Sequence, residues 1–368
     1  MSIIINLIIF ILILTVIIAF HEFGHFLFAK LCGVYVYEYA IGMGPKIFSK
    51  QIGETVYSIR AIPIGGFCQL AGEDLDADDN KKIKKDRRLQ NKTPFQRFLI
   101  MFFGPMNNFI LAIIILFLIA LIWGGTTMNP VVSEVEEKSA AEIAGIRVGD
   151  EVITINGHKI STSDDISLYL AVADPKKGSA FKVEHDNGTY DNIKVIPKKI
   201  KVDGKDTYRY GIGMQQEKIK GFGNAIVYTF KKTCSIFKQM YITLGYLFTG
   251  HIKLNQLSGP VGIYSVVGKS REVGGLANIL YLMAFLSINV GVINLLPIPA
   301  FDGGHILFII IEIIKGSPVK PELENKIHFI FLILLLLLML VITFNDVLNL
   351  FRWFWNKKKY LKIFLFFV

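Results

Sequence analysis

Cysteine is scarce in this 368-residue sequence: Cys32, Cys68 and Cys234 are the full set, and no two stand in C-x-x-C spacing. That leaves no thiolate metal or redox motif, and the three are expected to be ordinary partly buried thiols. Cys32 and Cys68 should lie on the cytoplasmic side of a membrane, where thiols stay reduced. Acidic residues are the minority charge, 30 against 40 Lys and Arg, for a net charge of +10. Twelve of the forty cations fall between Lys30 and Arg97. No aromatic–basic interleaving of a nucleic-acid module goes with them, so the bias reads as a positive-inside signal and no nucleic-acid partner is expected. The first apolar run has no basic residues before it and no small-x-small site after it. It is therefore expected to stay as a span and not to be removed as a signal peptide.

What is present is apolar surface. Hydrophobic residues make up 52% of the chain and the mean hydropathy is +0.47, too apolar for a soluble globule. Ile3 to Phe20 are apolar apart from Asn6 and Thr15, and 18 helical residues cover about 27 Å. At the end of this run stands His21-Glu22-Phe23-Gly24-His25. Residues four apart on a helix share a face, so the two imidazoles can hold one metal ion, and zinc suits them. Glu22 lies between them, placed to take a proton from a water held beside the metal. With 7 His in the chain, about 0.005 chance matches to H-E-x-x-H are expected, so the motif carries weight. Ionisable groups at this depth are functional by default.

Spans are expected at about 3–28, 98–123, 276–314 (broken) and 327–345. Between the first two, Gly33 to Gly72 reads as short strands cut by Gly42-Met43-Gly44-Pro45 and Pro63-Ile64-Gly65-Gly66. Apolar irregular backbone after the metal helix suggests a re-entrant β element that offers a strand edge to an extended peptide; a small cytoplasmic β-cap is the alternative. A charged run, 73–97, reads as a solvated linker or a helix near anionic lipid. Asn107 and Asn108 lie inside the second span, either bonding across helices or facing the active site. The segment 126–215 is the one long soluble stretch, with strand-like runs at 131–135, 150–155, 181–184, 191–196 and 208–212 and a helix start at 139–144. Phe222 to Leu257 suggests amphipathic helices on the membrane surface, followed by a Gly-Pro turn at Ser258 to Gly262.

The third span is interrupted by Asn294-Leu295-Leu296-Pro297-Ile298-Pro299-Ala300-Phe301-Asp302-Gly303-Gly304. Such a break in a membrane must line a site. Asp302 needs a cation and the metal needs a third ligand. Binding one zinc with His21 and His25 satisfies both, although pairing with Lys or Arg, or capping the next helix, would also occupy it. His305 is a weaker ligand candidate, expected to be an ordinary polar residue near the interface.

Together these elements resemble the bacterial site-2 proteases, and more narrowly the regulator-of-sigma-E-protease class of intramembrane zinc metalloproteases. The resemblance rests on H-E-F-G-H, Gly42-x-Gly44-Pro45, Pro63-x-Gly65-Gly66, Gly104-Pro105-x-x-Asn108-Phe109, Ser258-Gly259-Pro260-Val261-Gly262 and Asn294-x-x-Pro297-x-Pro299-x-x-Asp302-Gly303. In addition, Ala144 to Gly157 (A-G-I-R-V-G-D-E-V-I-T-I-N-G) looks like the core of a bacterial PDZ domain. The resemblance implies zinc held by His21, His25 and Asp302, with Glu22 as catalytic base. It also implies that Asn294, with Pro297, Pro299, Gly42, Gly44, Gly65 and Gly66, meets substrate.

The expected fold is an α-helical polytopic membrane protein of about four spans, with a re-entrant β element and one inserted α+β PDZ domain. Its parts are 1–125 (membrane), 126–215 (PDZ), 216–275 (amphipathic, juxtamembrane) and 276–368 (membrane). Expected partners are the bilayer and single-span membrane proteins already shortened outside the membrane, such as anti-sigma factors, and leftover signal peptides; a peptide or C-terminus at the PDZ domain is a further one. The expected location is the bacterial inner membrane, with the PDZ domain outside and the active site near the cytoplasmic face. Two other classes compete: a non-catalytic PDZ scaffold with a structural metal, which would need a fourth protein ligand, and a metal transporter, which would repeat ligands along a path.

Overall fold

The structure is a computed structural model that describes residues 2–73, 83–202, 205–251 and 259–355. Parts of the charged run 73–97 (74–82), the end of the amphipathic stretch (252–257) and Ser258 lie outside the described residues. In chain order the elements are α1 (Ser2–Leu31), β1 (Val36–Ile52), β2 (Thr55–Leu70), α2 (Pro94–Ile122), β3 (Gly125–Thr126), β4 (Val132–Val135), α3 (Ala140–Ala144), β5 (Glu151–Ile155) and β6 (His158–Lys159). They continue with α4 (Ser163–Val172), β7 (Ser179–Glu184), β8 (Tyr190–Val195), β9 (Lys198–Val202), β10 (Lys205–Arg209), β11 (Ile212–Met214), β12 (Lys218–Ile219), α5 (Phe222–Phe248), α6 (Pro260–Leu295), α7 (Asp302–Lys315) and α8 (Pro321–Trp355). Among the described residues four helices are long and apolar enough to cross a membrane: Ile3–Leu31, Pro94–Ile122, Pro260–Leu295 and Glu322–Leu348.

The third of these differs from the expected span at 276–314. Pro260 takes the first position of α6, where its missing N–H costs nothing, so the stretch read as a Gly-Pro turn opens a helix. Gly275 then breaks the helical backbone (φ 56°, ψ −135°), and the expected start at Leu276 coincides with this kink. The Pro-rich break ends α6 at Leu295, and α7 is a separate helix of 14 residues, about 21 Å long and too short to span.

The chain forms two compact units, residues 1–116 with 259–341 and residues 117–258 with 342–368. In the first, α1 and α2 approach as closely as backbones allow. A Cβ on Gly24 would lie 2.0 Å from the Phe103 carbonyl oxygen, and the Phe28 and Phe103 rings stack with centroids 3.5 Å apart. Small residues at such crossings replace the hydrophobic drive that lipid cannot supply. Ala29, Val34, Val36, Leu70, Leu89, Ile100 and Met101 are buried together where α1, the two strands and α2 meet.

Those two strands make a sheet of four segments. The first half of β1 pairs with the end of β2 (Val36 with Leu70, Tyr39 with Cys68, Ile41 with Gly66). The second half pairs with the start of β2 (Phe48 with Ile59, Ile52 with Thr55), and that start also lies beside the first half of β1 (Tyr39 with Tyr57, Ile41 with Ile59). Across the sheet the order is 66–70, 36–41, 55–60, 46–52. Gly42 and Gly44 (φ +87° and +84°) and Gly65 (φ +91°) sit at the bends, in a region L side chains avoid. Buried Glu38 pins the bend by accepting from Ser58 Oγ at 2.5 Å and Arg60 Nη2 at 2.8 Å and pairing with Lys46 Nζ at 2.9 Å. Arg60 Nη1 also donates to the Gly44 carbonyl at 2.7 Å.

The second unit holds an antiparallel sheet in the order β6-β5-β7-β8, with β11 paired to β4, β12 to β3 and β10 to β9. Val132, Ile146, Val152, Ile155, Ile166, Phe181 and Val183 fill its core. The run expected as one strand at 208–212 is cut at Gly211 (φ +81°) and joins two different pairs. Phe222 to Phe248 is a single helix, fixed to α4 by Lys232–Asp164 and Lys238–Asp165 pairs, both 2.8 Å.

Candidate metal centre

His21 and His25 sit one turn apart on α1, both buried. Asp302 is the first residue of α7, brought to them from 277 positions beyond His25. His21 Nε2 lies 3.1 Å from Asp302 Oδ2 and His25 Nε2 lies 3.5 Å from Asp302 Oδ1. The two Nε2 atoms are 3.2 Å apart. Glu22 is half-buried beside them. A cavity of about 510 Å³ is lined by His21, Glu22, His25, Phe67 to Leu70, Glu73, Met101, Asp302 and His305.

The remaining ring nitrogens show what the centre is built to hold. His25 Nδ1 is 2.9 Å from the Ile100 carbonyl oxygen, which can only accept. Nδ1 therefore carries a proton, and the neutral ring turns an Nε2 lone pair inward. His21 Nδ1 meets the Asn108 side-chain amide at 3.3 Å. Asn108 is fully buried and its Oδ1 has no partner; turned over, the amide accepts from Nδ1–H and leaves the His21 Nε2 lone pair facing that of His25. Asp302 Oδ2 is also buried without a hydrogen bond. Two facing lone pairs and a carboxylate oxygen buried against them without a hydrogen bond are unfavourable together unless a cation sits among them. Imidazole and carboxylate are the donors that zinc takes in three-ligand sites, so these residues fit a metal ion.

Close backbone contacts hold this geometry. A Cβ on Gly104 would come within 2.3 Å of the His25 ring. Pro105, next in α2, cannot donate to the carbonyl four residues back. On the other side, a Cβ on Gly303 would lie 2.1 Å from the Leu296 carbonyl oxygen and one on Gly304 2.7 Å from Pro299 Cα. The break is thus wound against the first turn of α7.

The structure gathers His21, Glu22, His25 and Asp302 at one cavity. Asn294 is half-buried in the last turn of α6, Pro297 is exposed and Pro299 is buried, and none of the three is on the cavity wall. Gly42, Gly44 and Gly65 lie at the sheet bends. Gly66 borders the centre, since its Cβ would stand 3.7 Å from Glu22 Cγ. His305 lines the cavity and meets Glu324 Oε1 on α8 at 3.2 Å. Of the two amides, Asn108 faces the centre, and Asn107 Nδ2 donates to the Phe20 carbonyl at 2.5 Å. The Ile100 carbonyl and the Gly104 contact were not read from sequence. The only hint was a Gly-Pro pair inside an otherwise apolar helix.

The sequence profile of peptidase family M50 matches residues 9–338. The chain is 34% identical to the regulator of sigma-W protease RasP of Bacillus subtilis (strain 168), over 93% of this chain and 98% of that protein. It is 33% identical to the zinc metalloprotease RasP of Geobacillus kaustophilus, over 94% and 98%. A putative zinc metalloprotease of Clostridium perfringens is 37% identical, over 91% and 96%.

Proposed function

The chain belongs to peptidase family M50, and from that premise we propose that it is an intramembrane zinc metalloprotease cutting single-span membrane proteins within or near their spans. The convergence of His21, His25 and Asp302 on one point beside Glu22 carries the reading. His21, His25 and Asp302 would hold zinc. When bound, zinc supplies Lewis acidity to a carbonyl and to water. Glu22 takes the proton of the attacking water and delivers it to the leaving amine.

A helical peptide bond is shielded by its neighbours, so the substrate must be extended before it is cut. Segment 66–70 supports this step: it is an outer segment of the sheet and its residues Phe67 to Leu70 line the cavity. An unwound substrate pairing along that edge would pass beside Glu22. Asn294 and Pro297 would then meet substrate beyond the cavity wall, buried Pro299 would shape the turn beside them, and Gly42, Gly44, Gly65 and Gly66 would shape the sheet that receives it. Met43, Ile47, Phe48, Ile52, Ile59, Ile62 and Ile64 are exposed around the far half of this sheet, which favours a re-entrant element in lipid over a soluble cap.

We read 126–215 as a PDZ domain. Gly145 and Gly149 are left-handed (φ +98° and +97°), Asp150 is buried and accepts from the Arg147 N–H at 2.8 Å, and Asn156-Gly157 turns β5 into β6. This domain would test whether the outer part of a substrate has been removed. Lys30, Arg87, Arg88, Lys92 and Arg97 near the end of α1 and the start of α2 favour a cytoplasmic location for that end. The metal centre then lies towards the cytoplasm of a bacterial cell and the PDZ domain outside. A relative that regulates sigma-W favours a shortened anti-sigma factor as substrate, and leftover signal peptides fit the same chemistry. The test is Glu22→Gln with a single-span reporter in detergent. Cleavage should fall about 10²–10⁴-fold with zinc retained; undiminished cleavage with zinc bound would overturn the base assignment.

A further inference from the structure

The turn that presents Asp302 is held by a side chain on another helix. Between Leu296 and Phe301 four residues have a backbone N–H, because Pro297 and Pro299 have none. Leu296, Ile298 and Phe301 donate locally, to the carbonyls of Ile293, Leu296 and Ile298. Ala300 donates instead to His328 Nδ1 on α8, at 3.1 Å. Ala300 is also one of three described non-glycine residues with positive φ, at +87°, a conformation that persists only where its surroundings fix it. It stands two residues before the carboxylate. His328 is itself held: its ring stacks on His305 with centroids 4.0 Å apart and leans on Phe308 at 5.5 Å.

We propose that His328 is a positioning residue for the metal centre, accepting the Ala300 N–H and so locking the left-handed turn that aims Asp302 at the two imidazoles. The inference rests on the metalloprotease reading. It has a second consequence. Because Nδ1 accepts, the neutral ring must carry its proton on Nε2, which faces Glu324 Oε1 at 4.0 Å. That nitrogen has no lone pair to give. His305, Glu324 and His328, though grouped closely enough to ligate an ion, are therefore a clamp and not a second metal site, and the protein should bind one zinc.

Asn and Leu at position 328 separate the roles, since they share a branch shape and both lose the ring stacking. Asn places an acceptor oxygen where Nδ1 stands; Leu places a methyl there. The full-length protein in detergent is loaded with zinc, and its release to a chelator is followed. His328→Leu should release zinc about tenfold faster than wild type, and His328→Asn should stay near wild type. Equal release by wild type and His328→Leu, or His328→Asn as fast as His328→Leu, would overturn the proposal. Nitrogen-15 shifts of the wild-type histidines, with His328 assigned from its loss in His328→Asn, give a measurement free of folding defects: an Nε2–H tautomer is expected and an Nδ1–H tautomer overturns the proposal. Wild-type protein unable to bind zinc would refute the metalloprotease reading itself, whereas zinc-bound wild type with an unaffected His328→Leu refutes only the role of His328.

Discussion

Two clusters in the membrane unit have the same ingredients. His21, His25 and Asp302 are two imidazoles and a carboxylate, and so are His305, Glu324 and His328. Distances alone hardly separate them: 3.1 to 3.5 Å in the first, 3.2 to 4.0 Å in the second. What separates them is what lies behind each ring. The Ile100 carbonyl behind His25 takes up its Nδ1–H, and the Asn108 amide, with its oxygen turned to His21, takes up the other, so that both Nε2 lone pairs point inward. A backbone N–H behind His328 does the reverse and turns a proton inward. Composition thus gives two candidate centres, and the outer hydrogen bonds decide which can take a cation.

The largest test of this contrast removes a carboxylate from each side. Asp302→Ala should abolish stoichiometric zinc binding, measured by elemental analysis of the purified protein, because two imidazoles alone fall short of the usual three protein ligands. Glu324→Ala should leave the zinc content unchanged. Next comes Asn108→Leu, which keeps His21, His25 and Asp302 but removes the group behind His21. Zinc affinity, measured by competition with a chelator, should drop about 10–100-fold. Gly104→Ala acts on the His25 ring through a methyl that would stand 2.3 Å from it. Overpacking should cost about 1–3 kcal/mol, read as earlier thermal unfolding together with faster zinc loss.

The smallest effect concerns a third cluster, which pairs a carboxylate with permanent cations. Glu54 accepts from Arg87 at 2.7 Å on both oxygens and from Lys30 Nζ at 2.7 Å. The Arg87 hydrogen bonds, with those of Lys30, hold its carboxyl down at about 2. A lowered folded value contributes stability above the unfolded value, about 4.3, and that contribution is lost as pH falls towards 2. Wild type should therefore destabilise more steeply between about pH 4 and 2 than Glu54→Gln, as followed by circular dichroism.

The legibility of these clusters in the sequence follows the range of the forces that build them. His21, Glu22 and His25 were readable because one helix fixes their spacing and an apolar run fixes the helix. Asp302 was readable as a possible partner because a charge after two prolines inside an apolar stretch has few uses. Asn108 could not be told from Asn107, since both amides lie in the same apolar helix and only the crossing angle with α1 decides which one faces the centre. The Ile100 carbonyl carries no side-chain signature at all. The sheet was legible as strands but not in its order, because bends at Gly42 and Gly65 let each strand pair twice, and long-range register is invisible to alternation. The start of α6 was missed because Gly259-Pro260 signals a turn locally, whereas proline is equally at home in a first helical turn.

The glycine contacts between α1 and α2 bear on how this enzyme could be re-engineered. Where an added methyl would land 2.0 Å from the Phe103 carbonyl oxygen or 2.3 Å from the His25 ring, selection for new specificity has no volume to work with. The wall from Phe67 to Leu70 lines the same cavity with four residues that carry side chains. A mutant library aimed at new cleavage preferences would therefore recover its active members from that wall and lose almost every clone altered at Gly24 or Gly104.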